Sequence, residues 1–477
     1  MKRGCHYWHI GVAAFLLTSL VIVSGAGATT PDPILLPPPS GAPLDIDFTK
    51  DPLLRFAHTA APERPFLQAL GTAVEHHPSV ESAIADQQAT KAVRTQVRSG
   101  LFPKLDTQLL YNRVLSRDFA GRTAIVESLQ PRIRTDLTVT GDQLLFDFGA
   151  TGNRIAAAND RIKAASAEVE RVAAETALRA IAAWYDVLAY QSLCDLSSAM
   201  VTRQTEILAD VRLRAAQGVG PISDIARAEA MLADAQAQGT RFDRQLAQSR
   251  NRYREVFQDE PPNRLDRPLP SSSLARSRDA AEALASKSPS VQVARHRAEA
   301  ARRDYRAVRD DRLPRLSAGV NGARYDVFTS SDYEVRGTIV LRQSLFAGGH
   351  QRGLIDQASA QARSADFIAD RVEGEADRDA GVAFTDLEAL GRTSARLEAA
   401  YIANRRVRDA YAEQFRVSRG TLIELLRAEQ DYFVAATSYL QATIDVDVAR
   451  YTLLTRTGEI LPLAGLQFVS NESSGSR

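Results

Sequence analysis

Two adjacent histidines, His76 and His77, are the nearest this chain of 477 residues comes to a metal-binding pair. A zinc or copper site needs three or four donors, and the other histidines are scattered. Cys5 and Cys194 are the only cysteines, too few for a disulfide framework or a multi-cysteine metal site. His76 and His77 therefore read as surface residues of a helix, and Cys194 as buried or inert. Two glycine-rich stretches, Phe148-Gly149-Ala150-Thr151-Gly152 and Gly348-Gly349, could cradle phosphate. Neither continues into Gly-Lys-Ser/Thr, so both read as strand-to-helix turns. Trp184 and Phe384 read as packing in a helix seam. No Ser/His/Asp or Cys/His arrangement stands out, so neither catalysis nor a cofactor is expected.

The composition narrows the class further. Lys and Arg number 59 and Asp and Glu 58, a formal net charge of +1. Nucleic-acid binding, with its basic excess, finds no support there. Aromatic residues are only 7% and alanine is abundant, which suits narrow helix seams better than one thick core. At the N-terminus Lys2 and Arg3 precede an apolar run over 10–23, and Ala26-Gly27-Ala28 follows as a small-residue cleavage site. Residues 1–28 read as an export signal, with the mature chain starting near Thr29. No later apolar run approaches 18 residues, so any membrane span would have to be built of strands.

The elements come in two copies. His77-Pro78-Ser79-Val80 matches Ser288-Pro289-Ser290-Val291, and Leu101-Phe102-Pro103-Lys104-Leu105 matches Arg312-Leu313-Pro314-Arg315-Leu316. Gln143-Leu144-Leu145-Phe146 matches Gln343-Ser344-Leu345-Phe346, and Gly220 matches Gly420. The offset drops between these blocks, so the first copy carries extra residues, placed near Ser116–Leu129. Each copy, 66–260 and 276–460, reads helix, two strands, long helix, break, helix. Residues 29–65 are proline-rich and read as extended or disordered, 261–275 as a linker, and 461–477 as a disordered tail.

Apolar and polar residues alternate over 104–115 and 131–146, and again over 315–326 and 333–346. Length and alternation fit transmembrane strands, although a soluble hairpin with one wet face alternates too. From Gly152 to Gln217, and from Arg352 to Arg419, no proline interrupts the chain. Helices of that length span roughly 100 Å and need coiled-coil-like partners. Gly218-Val219-Gly220-Pro221 and Ser418-Arg419-Gly420-Thr421 break them. After the second break Leu426, Phe433, Leu440 and Leu454 form a heptad row that Asp447 interrupts. Four strands cannot close a barrel alone, so several chains would have to share one.

In this order of landmarks the sequence resembles the TolC-like outer-membrane factors over about residues 66–460. The run Gly420-Thr421-Leu422-Ile423-Glu424-Leu425-Leu426-Arg427-Ala428-Glu429 is the strongest piece of the resemblance. The resemblance implies a mainly α fold with a small β part: a duplicated long-helix α-barrel and a homotrimer with a 12-stranded β-barrel in outer-membrane lipid. It implies a long periplasmic portion, a periplasmic adaptor, an inner-membrane transporter, and small toxic molecules or unfolded secreted proteins as cargo.

It also implies a tip that closes like an iris. Glu424 takes the place of a pore-facing carboxylate, where three copies would attract cations. The position one turn on is Arg427, which would pair with Glu424 at i,i+3 and partly neutralise the constriction. Ser223 and Asp224 match members of the closure contacts, Phe415 stands where a tyrosine is common, and Arg419 is a partner for Asp224. Gly218, Gly220 and Gly420 shape the tip turns. The competing reading is a periplasmic coiled-coil adaptor without a channel of its own. Adaptors usually carry one helical hairpin between β-rich flanks, whereas this chain carries duplicated helices.

Overall fold

The computed structural model describes residues 33–43, 45–116, 131–270 and 274–468. The expected export signal, the loop beyond Ser116 and the last nine residues lie outside the described residues.

Helix α1 (Pro52–His58) is followed by α2 (Glu63–Glu75), α3 (Pro78–Arg98) and strands β1 (Lys104–Arg113) and β2 (Ile133–Phe146). Helices α4 (Ala150–Ala216) and α5 (Ile222–Phe257) complete the first copy. The second copy runs α6 (Arg278–Ala285), α7 (Pro289–Asp310), β3 (Arg315–Arg324), β4 (Tyr333–Arg342), α8 (His350–Arg416) and α9 (Leu422–Arg456). A short α10 (Ile460–Leu463) closes the described chain.

The long helices α4 and α8 have 67 residues each. Both start on a glycine held at positive φ, Gly149 at 94° and Gly349 at 86°, so the glycine-rich stretches are strand-to-helix turns. The helix expected over 66–99 is two helices. Pro78 has no amide to continue α2, and the His77 ring caps the new helix by accepting from the Ser79 amide. Ser288-Pro289 divides α6 from α7 at the corresponding place.

The four strands form one antiparallel sheet in the order β1-β2-β3-β4. Its register joins the alternation of both copies into common faces. Leu109 opposes Leu137, Thr107 opposes Val139, Val139 opposes Gly322, and Gly322 opposes Val335. One face is thus apolar across all four strands, and it is open: Leu105 is 77% exposed and Ile339 76%. The other face carries Lys104, Asp106, Asn321, Arg336 and Arg342. Within the described residues β1 and β4 have unpaired outer edges.

The proline-rich segment does not stay free. Residues 33–39 form neither helix nor strand, but Ile34 is buried, and Leu53 and Leu54 of α1 enter a core with Leu196, Met200, Tyr401 and Tyr439. Asp51 caps α1, accepting from the amides of Leu53 and Leu54 at 2.9 and 3.0 Å. It also binds the Arg405 guanidinium and accepts from the Tyr401 hydroxyl at 2.8 Å. Arg408 donates to the Pro37 carbonyl at 3.0 Å. The Ile34 amide donates to Asp195 on α4 at 3.3 Å. Residues 33–58 are therefore a strap across both copies, fixed by buried charges that disorder would leave unpaired.

The linker is latched in the same way. Arg267 is buried and makes a two-pronged pair with Asp447 at 2.6 and 3.0 Å. The residue that interrupts the heptad row thus has a cation brought to it. Trp184 donates to the Asp266 carbonyl at 3.0 Å and packs edge-on against Phe66. The start of the expected disordered tail is packed too, with Leu461 and Leu466 buried beside Ile460 in the core around Trp184 and Tyr185.

Candidate functional site

Each copy ends in a helical hairpin, and the two breaks are built differently. In the first, α4 stops at Ala216 and Gly218 takes φ +74°. The Val219 amide returns to the Arg214 carbonyl at 3.0 Å, and Pro221 precedes α5. Pro221 has no amide to leave unsatisfied there. Asp224 sits in the first turn of α5, where a carboxylate suits the helix dipole. Ser223 is exposed beside it.

In the second break Ser418 rather than a glycine takes the left-handed conformation, at φ +59°. The amides of Arg419 and Gly420 both donate to the Gln414 carbonyl, at 2.8 and 3.1 Å. A Cβ on Gly420 would lie 3.1 Å from the Gln414 Cβ and 3.2 Å from the Phe415 nitrogen, so this turn needs glycine for close approach. Thr421 then opens α9 with a capping box. The Glu424 amide donates to the Thr421 Oγ1 at 3.3 Å. The Glu424 carboxylate accepts from the Thr421 amide at 3.0 Å and from its hydroxyl at 2.8 Å.

This geometry corrects one expectation. Glu424 turns back onto Thr421, and no Glu424–Arg427 pair forms within the chain. The cap offers two donors on one residue, the Thr421 amide and hydroxyl, whereas the i,i+3 ion pair is a solvated surface contact. Both side chains are exposed on one face of α9. The Thr421 amide, and after it the Thr421 hydroxyl, hold the Glu424 carboxyl below the usual glutamate value.

The hairpins meet through a residue that sequence reasoning passed over. Arg214, in the last turn of α4, donates to the Phe415 carbonyl at 2.9 Å, and its guanidinium lies 4.1 Å from the centre of the Phe415 ring. Phe415 thus has a cation over its aromatic face. A cation in the last turn of a helix was the available signal. Below it Ile207, Val211, Ala412, Leu422, Leu425 and Leu426 form a small core. Asp224 and Arg419 are not paired with each other within the chain.

Deeper in the hairpins Glu429 is buried, 2.8 Å from Arg203 of α4 and 3.7 Å from Arg408 of α8. Its repeat counterpart Glu229 stays exposed and pairs with Arg212 at 2.6 Å. The second hairpin therefore ties into the first through buried charge, whereas the first pairs within itself. No group of three or more His, Cys, Asp or Glu suited to a metal ion occurs among the described residues. Farther down α4 from the tip, next to Asp195, Cys194 is half-buried, and burial first, then the Asp243 carboxylate at 3.4 Å, push its thiol up to about 12.

The likeness to known proteins follows the same architecture. The sequence profile of the family described as "Outer membrane efflux protein" matches residues 69–256 and 280–459. The outer membrane efflux protein BepC of Brucella suis is 27% identical over 342 residues, spanning 68% of this chain and 74% of that protein. Among solved structures, the outer membrane protein VceC of Vibrio cholerae superposes with a TM-score of 0.72 at 16% identity, covering 83% of this chain and 97% of the other. The open-state MtrE outer membrane channel of Neisseria gonorrhoeae gives 0.70 at 16% identity, covering 83% and 89%. The adaptor alternative does not survive the profile match, since the two matched segments take in both sets of long helices and all four strands. With its paired hairpins, its one-faced apolar sheet and this match, the chain belongs to the outer membrane efflux protein family, outer-membrane channels of the TolC type with a long periplasmic helical portion.

Proposed function

We propose that three copies of the chain close one barrel of twelve strands, and that their helices continue it as a tunnel into the periplasm. The observation that carries this reading is the sheet: an apolar face continuous over four strands, ended by unpaired edges at β1 and β4. Lipid offers no hydrogen-bond partner to such edges, and a neighbouring copy does. The tunnel is the exit duct of an efflux pump or type I secretion system, engaged at its tips by a periplasmic adaptor and fed by an inner-membrane transporter.

At the tip, three copies of Glu424 form an acidic constriction with Arg427 one turn behind. Asp224 of one copy and Arg419 of the next hold the resting closure, with Ser223 beside them and Phe415 fixed by Arg214. Gly218, Gly220 and Gly420 keep the turns tight. The test is outer-membrane material run on gels with and without heating, then reconstituted in planar bilayers. Heat-labile trimers that conduct are expected, with resting conductance raised in Asp224→Ala. A heat-insensitive monomer without conductance overturns the assembly, and an Asp224→Ala channel as closed as the wild type overturns the closure pair.

A further inference from the structure

The polar face of the sheet is unevenly charged. In the half far from the helices its cations are neutralised locally: Arg134 pairs with Asp136 at 2.6 Å, and Arg336 pairs with Glu334. The helix-proximal end differs. Arg315 and Arg342 are direct partners in the β3–β4 ladder, so two guanidiniums share one row of one face. Like charges opposed across a ladder are destabilising, and an anion between them removes the repulsion. Lys104, at the same end of the sheet, opposes Asp142. Lys104, Arg315 and Arg342 are exposed and form no ion pair with another described residue.

These three cations and Asp142 line a single cleft of about 240 Å³, together with Phe102 and Leu144. Three cations against one carboxylate leave a net of two positive charges per chain. Phe102 is 54% exposed and adds an apolar wall beside them. The volume lies just below the roughly 300–1,000 Å³ of pockets for drug-sized ligands. We infer that this cleft binds small amphiphilic organic anions, a carboxylate or sulfonate carried on an aromatic or aliphatic body. The Arg315 and Arg342 forks hold the anionic group and Phe102 packs the body. Asp142 keeps the site from becoming a trap, because a conducting site must also release what it binds. In the trimer three such clefts ring the waist where helices give way to strands. That location rests on the barrel reading, whereas the binding itself does not.

The probe is 2-naphthalenesulfonate, titrated calorimetrically into the full chain purified in detergent without added lipid, and applied separately to reconstituted channels as a blocker. Saturable binding is expected. R315Q/R342Q should weaken it at least tenfold, and the neutral 2-naphthol should bind at least tenfold more weakly than the sulfonate. Phe102→Ala should weaken the sulfonate several-fold while leaving weak inorganic sulfate binding unchanged. Removing opposed like charges does not weaken the ladder, so R315Q/R342Q keeps its fold, and K104Q provides a second, milder variant. Sulfonate binding unaltered in R315Q/R342Q, equal binding of 2-naphthol, or no saturable binding by the wild type overturns the inference. Block of wild-type conductance that is lost in the double variant supports it. A chain that binds but never conducts counts against the barrel reading alone, and a chain that conducts without binding counts against the cleft alone.

Discussion

Glu424 is bound first to its own helix, and that sets how the proposed constriction titrates. Its carboxylate closes the capping box of α9, and the same contacts favour its ionised form. A carboxyl held low adds stability above its unfolded value and loses that contribution as the pH falls through its folded value. Charge at the tip is therefore retained below the ordinary glutamate value of 4.5. Divalent-cation block of the channel should survive at pH 4.5 and fade only on further acidification. Block that is already lost by pH 6, or that persists in Glu424→Ala, would sink the role. Cys194 gives the opposite case. With its thiol at about 12, thiolate is a fraction of about one in ten thousand at pH 8, against roughly a quarter for a free cysteine. Peptide-resolved mass spectrometry should find iodoacetamide alkylation at least a hundredfold slower in the folded chain than in urea. Comparable rates would show an accessible, reactive thiol.

The long helices, the breaks and the alternating strands are local patterns, repeated every two or every three to four residues, and they read directly from the sequence. Gly220 and Gly420 at matching places in two copies make the breaks doubly visible. The strap and the latched linker are not patterns of that kind. Each depends on single charges that look ordinary in sequence: Asp51 near a proline run, Arg267 in a polar linker, Arg405 and Arg408 on a charged helix. Asp447 was a visible flag, because a carboxylate in an apolar row demands a cation, but nothing local says which one. Capping against pairing at Glu424 was likewise a contest between neighbours that spacing alone leaves open. The strap yields its own test. Replacing Asp51 by Ala strands Arg405 without its carboxylate and removes the α1 cap, at a cost of about 3 kcal/mol. Asp51→Asn retains the capping oxygen and should cost less. Limited proteolysis within 33–58 should accelerate in both variants, most in Asp51→Ala. An unchanged cleavage rate would mean that the apolar contacts of Leu53 and Leu54 suffice.

Across the whole molecule two charge patterns are laid along one duct. The tips carry an exposed carboxylate at Glu424, and the waist carries cations at Lys104, Arg315 and Arg342. Between them some charge is buried and structural, as in Arg408 with Asp409 at 2.6 Å and Arg203 with Glu429, while other pairs such as Arg371 with Glu375 lie exposed on the helices. The strap has a further consequence, for the order in which the molecule is made. Its bonds run from Asp51 to Tyr401 and Arg405 and from Pro37 to Arg408, separations of 350, 354 and 371 residues. Contacts so distant along the chain close slowly and late. An exported chain crosses the inner membrane with residues 33–58 leading, yet their binding surface on α8 and α9 emerges near the end. The strap must wait for nearly the whole polypeptide and then seals it, so its docking reports completion. In a pulse-chase, residues 33–58 should become protease-resistant only after full-length chains appear, and chains ending before residue 400 should keep them cleavable. Early protection in such truncated chains would show that the strap docks on the first copy alone.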